Sequence, residues 1–161
     1  MSIESELVRE LQARKWVFAT AESCTGGLVA ARITDVPGAS DVFVGGIVSY
    51  SNAVKHSQLK VPQEVLDTYG AVSSQCVRQM AEGACAQLDA DLAVSVTGIA
   101  GPGGATPTKP VGLVYIGVAA RGAATQAREF HFAGTRAEIR QQSVDAALTL
   151  ALRTLTGKLP A

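Results

Sequence analysis

Short apolar segments that alternate with helical patterns constrain the fold of this chain more than any other feature. Five segments are apolar and partly β-branched, which is typical of strands, and most are separated by apolar residues at helical spacing. Strands that alternate with helices indicate a sheet covered by helices on both faces. The predicted strands comprise residues 16–21, 43–50, 92–96, 111–119 and 125–132.

The connections between these strands predict how the sheet is paired. A short turn around Arg121-Gly122 joins the last two strands, and a connection of that length makes them antiparallel. The first three strands are linked through helices, as in parallel sheets, whereas a loop rich in glycine and proline at 98–110 links the third strand to the fourth. The predicted fold class is therefore α/β, a three-layer α/β/α sandwich with a mixed, mainly parallel sheet of about five strands. We expect residues 1–161 to form a single domain, since this length buries a sizeable core.

Caps and apolar faces define the predicted helices. Ser73 is suited to cap one helix, and Thr135, followed three residues later by Glu138, has the capping-box pattern at the start of the last. Shorter helices are predicted at 28–33, from about Asn52, and after Pro62. The inward faces comprise Ile3, Leu7, Val8 and Leu11 in the first helix, Val77, Met80, Ala81, Ala84 and Leu88 after Ser73, and Val144, Leu148, Ala151 and Leu155 in the last.

Charge and cysteine content exclude several classes of protein. Lys plus Arg number 14 and Asp plus Glu number 14, so the chain lacks the basic excess typical of proteins that bind nucleic acid. No apolar run is long enough to span a bilayer, and the charged N-terminal segment does not resemble a signal peptide. The three cysteines lack a metal-ligand or disulfide spacing, which favours a reducing compartment. We therefore expect a cytoplasmic protein with no nucleic-acid or membrane partner.

The first predicted strand ends in a turn of small residues with the sequence AESCTGG, at 21–27. Its two glycines leave backbone N–H groups accessible at the start of a helix, where an anion or a developing oxyanion would be stabilised. Ser23 is the candidate nucleophile in this turn. The alternative is a tight turn in which Ser23 and Thr25 act only as caps.

The second cluster has the sequence YSNAVK, at 50–55. Ser51 or Asn52 is suited to cap the following helix, which places Lys55 in its first turn, against the positive end of the helix dipole. Such a field, together with burial, lowers the pKa of a lysine, and a neutral lysine can act as a general base. Tyr50 could then relay a proton or orient Lys55. The alternative is an exposed lysine with no chemical role.

Neither histidine is suited to activate a serine. His131 alternates with phenylalanines on a strand and is predicted to face away from the core, and His56 points away from Lys55 on the same helix. A Ser–Lys arrangement is therefore favoured over a Ser–His–Asp triad. Cys24 is either a further candidate nucleophile or a small buried residue.

Two more clusters are suited to bind an anion. Glycines in TGIAGPGG, at 97–104, can expose successive N–H groups, although the pattern is not that of a P-loop and a flexible connection is the alternative. Arg136 and Arg140 lie four residues apart near the start of the last helix, where they repel each other and oppose the helix dipole. A bound phosphate would relieve that repulsion, and a solvated helix face is the alternative.

In this order, the motifs resemble those of the CinA C-terminal domain family. The matching stretches are AESCTGG at 21–27, YSNxxK at 50–55, GAVS at 70–73, TGIAGPGG at 97–104, KPVG at 109–112 and GxRxxIR at 134–140, and the resemblance extends from about Leu7 to Leu152. It implies a three-layer α/β/α fold with a mixed sheet. Stand-alone members are nicotinamide-nucleotide amidases, which convert nicotinamide mononucleotide to nicotinic acid mononucleotide and ammonia. No metal or organic cofactor is implied.

The resemblance also implies which residues form the site. Ser23 with Lys55 is the favoured pair, and Ser40 could exchange roles with Ser23. Backbone N–H groups near Gly26-Gly27, or hydroxyls of Ser40 or Thr97, would stabilise the oxyanion. The catalytic candidates are Ser23, Lys55, Tyr50 and Ser40, and the substrate-binding candidates are Thr25, Gly26, Gly27, Thr97, Gly98, Arg136 and Arg140.

The expected ligand is a small nucleotide, and a homodimer is expected from the family. The competing interpretation is a non-catalytic, competence-associated module that binds nucleotides, and a third is an amidase for another small amide. The presence of Ser23, Tyr50, Lys55 and Thr97 favours an enzyme, because a pure binder needs no base beside a hydroxyl. Dependence on the phosphate would separate the first amidase from the third interpretation.

Overall fold

The computed structural model describes residues 1–157 as a five-stranded sheet between two layers of helices. The helices are α1 Ile3–Arg14, α2 Leu28–Thr34, α3 Asn52–Leu59, α4 Gln63–Tyr69, α5 Ser74–Leu88 and α6 Arg136–Thr156, with a 3₁₀ turn at Ala39–Asp41. The strands are β1 Phe18–Glu22, β2 Phe43–Val48, β3 Leu92–Gly98, β4 Leu113–Ala120 and β5 Gln126–His131. This is the predicted three-layer α/β/α architecture.

The strands lie in the order β2-β1-β3-β4-β5. β1 is parallel to β2 and to β3, whereas β4 is antiparallel to both β3 and β5. Four strands therefore share one direction, and the prediction of a mixed, mainly parallel sheet is confirmed. Glu22 at the end of β1 is in register with Val48 of β2 and Val96 of β3. The residues that follow these three consequently lie abreast at one edge of the sheet.

Each face of the sheet has its own core. Phe18 of β1 packs with residues of α1, α2 and α6 on one face, whereas Ala19 and Ala21 pack with α3, α4 and α5 on the other. The inward residues predicted for α6, Val144, Leu148, Ala151 and Leu155, are all buried. Because both faces of the sheet are covered, β1, β3 and β4 are buried along nearly their whole length and are mainly apolar.

The predicted helix caps are confirmed. The Ser73 hydroxyl accepts a hydrogen bond from the Cys76 N–H at 3.1 Å, and Thr135 and Glu138 form the reciprocal capping box of α6. These caps fix where α5 and α6 begin, and α6 begins at the edge of the sheet that collects the ends of β1, β2 and β3.

Each strand differs from its prediction by one to two residues at one or both ends, and two of these differences bear on the site. β4 begins at Leu113 and not at 111, because Gly112 adopts a left-handed φ of 92° and donates its N–H to the Ile99 carbonyl at 2.8 Å. β2 ends at Val48, so that Tyr50 lies in the loop before α3 and is 62% exposed. Within residues 1–157, no helix combines the length and the hydropathy that a bilayer crossing requires.

Candidate active site

The turn between β1 and α2 presents Ser23 at the edge of the sheet. The Ser23 N–H donates to the Val96 carbonyl at 3.0 Å, which continues the pairing of β1 with β3. The chain then reverses through Gly26 and Gly27, whose φ angles are 59° and 105°. Glycine adopts both conformations at little cost, and the φ of Gly27 is one that residues with a β-carbon rarely adopt, which favours glycine in this motif.

Lys55 reaches the same place from α3. The Ser51 hydroxyl caps α3 by accepting from the Val54 N–H at 3.2 Å, and Lys55 lies one turn into the helix. Its side chain is 1% exposed, so the lysine is not on the surface. The Lys55 Nζ lies 3.0 Å from the Ser23 Oγ, 2.8 Å from the Ser49 carbonyl and 3.0 Å from the Tyr50 carbonyl.

Burial of Lys55 without a carboxylate partner favours a neutral amine, and its three contacts accommodate one. A neutral lysine has two N–H groups, which the two carbonyls accept, and a lone pair, which then faces the Ser23 Oγ. Burial lowers the pKa of Lys55, and the neighbouring Cys76 and Cys24 oppose this only in part. The arrangement can therefore accept the proton of Ser23, as a general base must.

A buried carboxylate stands directly before Ser23. Glu22 is 1% exposed, and its oxygens accept four hydrogen bonds within the turn and the first residues of α2. The donors are the Thr25 hydroxyl at 2.7 Å and the N–H groups of Gly27 at 3.2 Å, Val29 at 2.9 Å and Ala30 at 3.0 Å. The positive end of α2 is thus occupied by the protein's own carboxylate.

This corrects the prediction that N–H groups near Gly26-Gly27 face a ligand. The Gly27 N–H is bound to Glu22, and the Gly26 N–H donates to the Ser23 carbonyl at 3.1 Å. Thr25 is fully buried with its hydroxyl on Glu22, so it does not line the cavity beside Ser23. The sequence prediction failed because it could not show that Glu22 is buried and that its carboxylate binds the N–H groups at the start of α2.

The two arginines of α6 have different environments. Arg136 lines the cavity beside Ser23, and its guanidinium donates to the Gly101 carbonyl at 2.7 Å and to the Tyr50 hydroxyl at 3.2 Å. Arg140 is half-buried and donates to the carbonyls of Cys24 at 3.0 Å and Thr25 at 3.2 Å. Their separate contacts, and not a shared anion, keep the two cations apart.

A cavity of about 200 Å³ collects most of the predicted site residues. The Thr97 hydroxyl donates to the Ala71 carbonyl at 3.0 Å, which fixes the GAVS segment as one wall. The lining comprises Ser23, Cys24, Tyr50, Asn52, Lys55, Ala71, Val72, Thr97, Gly98, Ala100 and Arg136. Ser23, Tyr50, Lys55, Thr97, Gly98 and Arg136 are thus brought together, as expected for residues at adjacent strand ends.

Ser40 is not brought to this cavity. It lies in the 3₁₀ turn before β2, whereas Ser23 follows the carboxyl end of the parallel strand β1. The two serines are therefore at opposite edges of the sheet, and Ser40 lines a different surface depression together with Phe43. Within one chain, Ser40 cannot exchange roles with Ser23 or donate to an oxyanion there.

The alternative nucleophile and the histidines take no part in the pair. Burial raises the pKa of the Cys24 thiol to about 11, which disfavours the thiolate needed for attack. His56 donates its Nδ1–H to the Val61 carbonyl, 2.8 Å away, and His131 is exposed beside Glu129. Neither ring lines the cavity that contains Ser23.

A larger cavity, of about 540 Å³, lies elsewhere, between β5 and α6. Its lining contains the stacked rings of Phe130 and Phe132, with Arg128 and Arg153 beside them. No serine, cysteine or lysine is among the described residues that line it. Size alone would favour this groove, but only the smaller cavity combines a nucleophile with a base.

Several residues of the site were missed by the sequence analysis. Glu22 accepts hydrogen bonds from the turn after Ser23, and the Ser49 carbonyl accepts one from Lys55. Asn52 lines the cavity, and the Gly101 carbonyl accepts a hydrogen bond from Arg136. A carboxylate directly before a turn that opens a helix is a usable signal for Glu22. Ser49 and Gly101 act through main-chain carbonyls, which every residue has, so their side chains give no signal.

Fold and site together define a class of protein: an α/β/α domain with a buried Ser–Lys pair at the carboxyl ends of its parallel strands. A family profile described as the CinA C-terminal domain matches residues 1–155. The chain belongs to the CinA C-terminal domain family.

Relatives and solved structures agree with this assignment. A CinA-like protein from Dictyoglomus thermophilum is 46% identical over 154 residues, and one from Leptospira borgpetersenii is 50% identical over 139 residues. They cover 96% and 86% of this chain, which spans only 37% and 33% of their own length.

Two crystal structures show the same fold. A competence/damage inducible protein, CihA, from Agrobacterium tumefaciens is 42% identical with a TM-score of 0.88, over 97% of both chains. A CinA superfamily protein from Klebsiella pneumoniae is 32% identical with a TM-score of 0.92, over 96% of both chains. These names specify no reaction.

Proposed function

We propose that this chain is an amidohydrolase that converts nicotinamide mononucleotide to nicotinic acid mononucleotide and ammonia. The observation that carries the proposal is the buried Lys55 Nζ, 3.0 Å from the Ser23 Oγ at the wall of a cavity. A lysine without a carboxylate partner in that position is costly to bury, and a role as base explains its retention. The choice of substrate rests on the family resemblance.

In the proposed first step, Ser23 attacks the carboxamide carbon while its proton passes to Lys55. The Ser49 and Tyr50 carbonyls hold the two other N–H groups of the amine, so the lone pair stays directed at the hydroxyl. The tetrahedral intermediate then collapses as Lys55 gives the proton to the departing ammonia. Water hydrolyses the resulting acyl-enzyme by the same proton transfers in reverse.

The oxyanion requires donors near Ser23 that the fold has not used. Glu22 binds the N–H groups of Gly27, Val29 and Ala30 but not that of Cys24. The N–H that follows a nucleophile is a common oxyanion donor, and we assign this role to Cys24. The Thr97 hydroxyl is less suitable, because its proton is directed to the Ala71 carbonyl.

The size of the cavity fits a substrate that enters only in part. A volume of about 200 Å³ is below the usual range for a complete ligand site. The nicotinamide ring with its carboxamide would therefore occupy the cavity, and the ribose phosphate would lie at its mouth. Arg136 and the exposed Tyr50 stand at that mouth. Arg136 is therefore our candidate for the phosphate.

The direct test is ammonia release from nicotinamide mononucleotide by the purified chain. We expect multiple turnovers by the wild type, loss of release in Ser23→Ala, and full activity in Ser57→Ala, a matched change at an exposed serine of α3. An acylated Ser23 trapped by acid quench and located by mass spectrometry would identify the nucleophile. Folded wild type that releases no ammonia would rule out the amidase.

A non-catalytic nucleotide-binding module is the second candidate function. The similar Agrobacterium tumefaciens protein is called competence/damage inducible, a name that refers to no reaction, and this favours a module without catalysis. Binding of nicotinamide mononucleotide without ammonia release, measured by calorimetry, would select this candidate. Turnover that depends on Ser23 would exclude it.

Replacing Arg136 is expected to remove the preference for a phosphorylated substrate. Arg136→Ala deletes the cation at the cavity mouth, so kcat/KM for nicotinamide mononucleotide should fall about 10- to 100-fold, as for loss of a charge-assisted hydrogen bond. Nicotinamide riboside, which has no phosphate, should lose little. Equal losses for both substrates would contradict the assignment.

Activity is expected to fall as the pH is lowered, because the base must be neutral. Burial holds the pKa of Lys55 below the ordinary lysine value of about 10.4, so turnover should decline as pH drops through this lowered pKa. Unfolding binds a proton between the lowered and the ordinary pKa, and stability therefore rises with pH in that window. We expect Lys55→Met to lack both dependences on pH. The measurements are the turnover rate and the free energy of unfolding, each followed against pH.

Composition and the family resemblance bear on location and assembly. We propose a cytoplasmic homodimer that binds no nucleic acid, from the balanced charge, the three free cysteines and the family resemblance. Sedimentation equilibrium of the full chain would decide its oligomeric state.

A further inference from the structure

We propose that Glu22 and Arg140 form a clamp of opposite charges that positions Ser23, and that Arg140 does not bind the substrate phosphate. The proposal rests on the proposed function, in which Ser23 is the nucleophile. In this arrangement Arg140 contacts the turn that contains Ser23, whereas Arg136 lines the cavity.

The turn that presents Ser23 needs support because of its glycines. Gly26 and Gly27 both adopt left-handed φ angles, and glycine leaves the backbone free to adopt many others. A turn of this kind would place the Ser23 hydroxyl in several positions if nothing held it. Attack requires a defined position relative to the base and to the carbon that reacts.

The Glu22 carboxylate holds one side of the turn by accepting from main-chain N–H groups of the turn and of α2. The carboxylate joins the Thr25 hydroxyl to the N–H groups of Gly27, Val29 and Ala30, so the turn is fixed to the start of α2. The main-chain carbonyl of Glu22 also accepts from the Ser49 N–H at 2.7 Å. Since the Ser49 carbonyl binds Lys55, Glu22 connects the supports of nucleophile and base.

Arg140 holds the opposite side of the turn by donating to main-chain carbonyls of the turn. Its Nε donates to the Cys24 carbonyl and a terminal nitrogen donates to the Thr25 carbonyl. A β-carbon at Gly26 would lie 3.3 Å from that terminal nitrogen, so the glycine also makes room for the guanidinium. A planar guanidinium is suited to bind two acceptors at once, whereas a lysine is not.

The same contacts argue against Arg140 as a phosphate ligand. Two of its three nitrogens are engaged by backbone carbonyls, and Arg140 is absent from the lining of the cavity that contains Ser23. Arg136, one turn earlier on α6, does line that cavity. The spacing of four residues thus places one arginine against the substrate and the other against the nucleophile turn.

The test compares Glu22→Gln and Arg140→Lys with Arg136→Ala and with two controls at exposed positions, Glu64→Gln and Arg78→Lys. We measure kcat and KM for nicotinamide mononucleotide and for its riboside. Both clamp variants should lose about 10²-fold in kcat, the effect of a displacement of about 1 Å. Their KM and their preference for the phosphorylated substrate should stay unchanged, while Arg136→Ala should lose that preference.

A second readout does not depend on the natural substrate. A neutral aryl sulfonyl fluoride labels an activated serine: the Ser23 oxygen bonds to sulfur, fluoride leaves, and the hydroxyl proton passes to Lys55. The rate of labelling, followed by intact mass, should fall in both clamp variants and not in the controls Glu64→Gln and Arg78→Lys. If Glu22→Gln fails to fold by circular dichroism, Arg140→Lys at its half-buried position decides the test.

Each outcome bears on the clamp or on the proposed function. Clamp variants with wild-type kcat and labelling would overturn the clamp, as would an Arg140→Lys variant that loses its phosphate preference. Wild type that is labelled but releases no ammonia would overturn the amidase alone, and the labelling rates would still decide the clamp. Wild type that does neither would overturn both.

Discussion

Lys55→Met is expected to reduce turnover of nicotinamide mononucleotide by roughly 10³- to 10⁴-fold while the fold remains intact. The Lys55 Nζ is the only amine that lines the cavity among the described residues, and it lies in hydrogen-bond contact with the Ser23 Oγ. Methionine has a similar length and no lone pair that can take a proton at neutral pH. The hydroxyl of Ser23 would stay in place without a base.

Stability should change little in this variant, because two effects oppose each other. Removal of the amine leaves the buried Ser49 carbonyl without its donor, which costs about 1–3 kcal/mol. It also removes a polar group whose burial is unfavourable, an effect of similar size. We therefore expect the free energy of unfolding, from urea titration, to shift by less than about 2 kcal/mol.

Lys60→Met is the matched control, since Lys60 follows the same helix and is exposed. It should retain wild-type turnover. A Lys55→Met variant that is folded and keeps a tenth or more of the activity would show that another group accepts the proton. In that case the acidic limb of the pH profile would remain in the variant and could be used to find that group.

The convergence of Ser23, Tyr50 and Thr97 could be predicted because it follows from topology. Parallel strands end at a common edge of the sheet, and Ser23, Tyr50 and Thr97 lie at, or within two residues of, the predicted strand ends at 21, 50 and 96. The pairing of Glu22 with Val48 and Val96 determines how far each of these strands extends relative to its neighbours. That register is a property of the tertiary structure, which the sequence pattern does not show.

The sequence could not show which of several possible hydrogen-bond partners a group has in the folded chain. A free helix N-terminus and a carboxylate one turn away are both visible in the sequence, but only the folded chain shows that Glu22 fills the N-terminus of α2. The two arginines of α6 look equivalent in the sequence for the same reason. Arg140 differs from Arg136 because the carbonyls of Cys24 and Thr25 lie within its reach.

Gly83→Ala is expected to destabilise the chain by about 1–2 kcal/mol, although alanine is the better helix former. Gly83 is buried in the middle of α5, where a β-carbon would overlap the main-chain carbonyl of Leu59 at the end of α3. The intrinsic gain from alanine is at most about 1 kcal/mol. Overpacking costs about 1–3 kcal/mol or more, and a backbone carbonyl cannot rotate away, so the overlap should win.

The same overlap connects the packing of α5 to catalysis. Leu59 lies one helical turn from Lys55 on α3, so a shift of α3 away from α5 would carry the Lys55 Nζ away from Ser23. A displacement of about 1 Å would lower kcat roughly 10²-fold. The stability change is measured by urea unfolding and the activity by ammonia release.

Gly103→Ala is the control, because a β-carbon at Gly103 meets no atom within 4 Å. It should leave stability and activity unchanged. If Gly83→Ala were more stable than wild type, helix propensity would outweigh the contact and α3 would have to be free to move. If it were less stable but kept full kcat, Lys55 would be held by the Ser49 and Tyr50 carbonyls alone, independently of where α3 rests on α5.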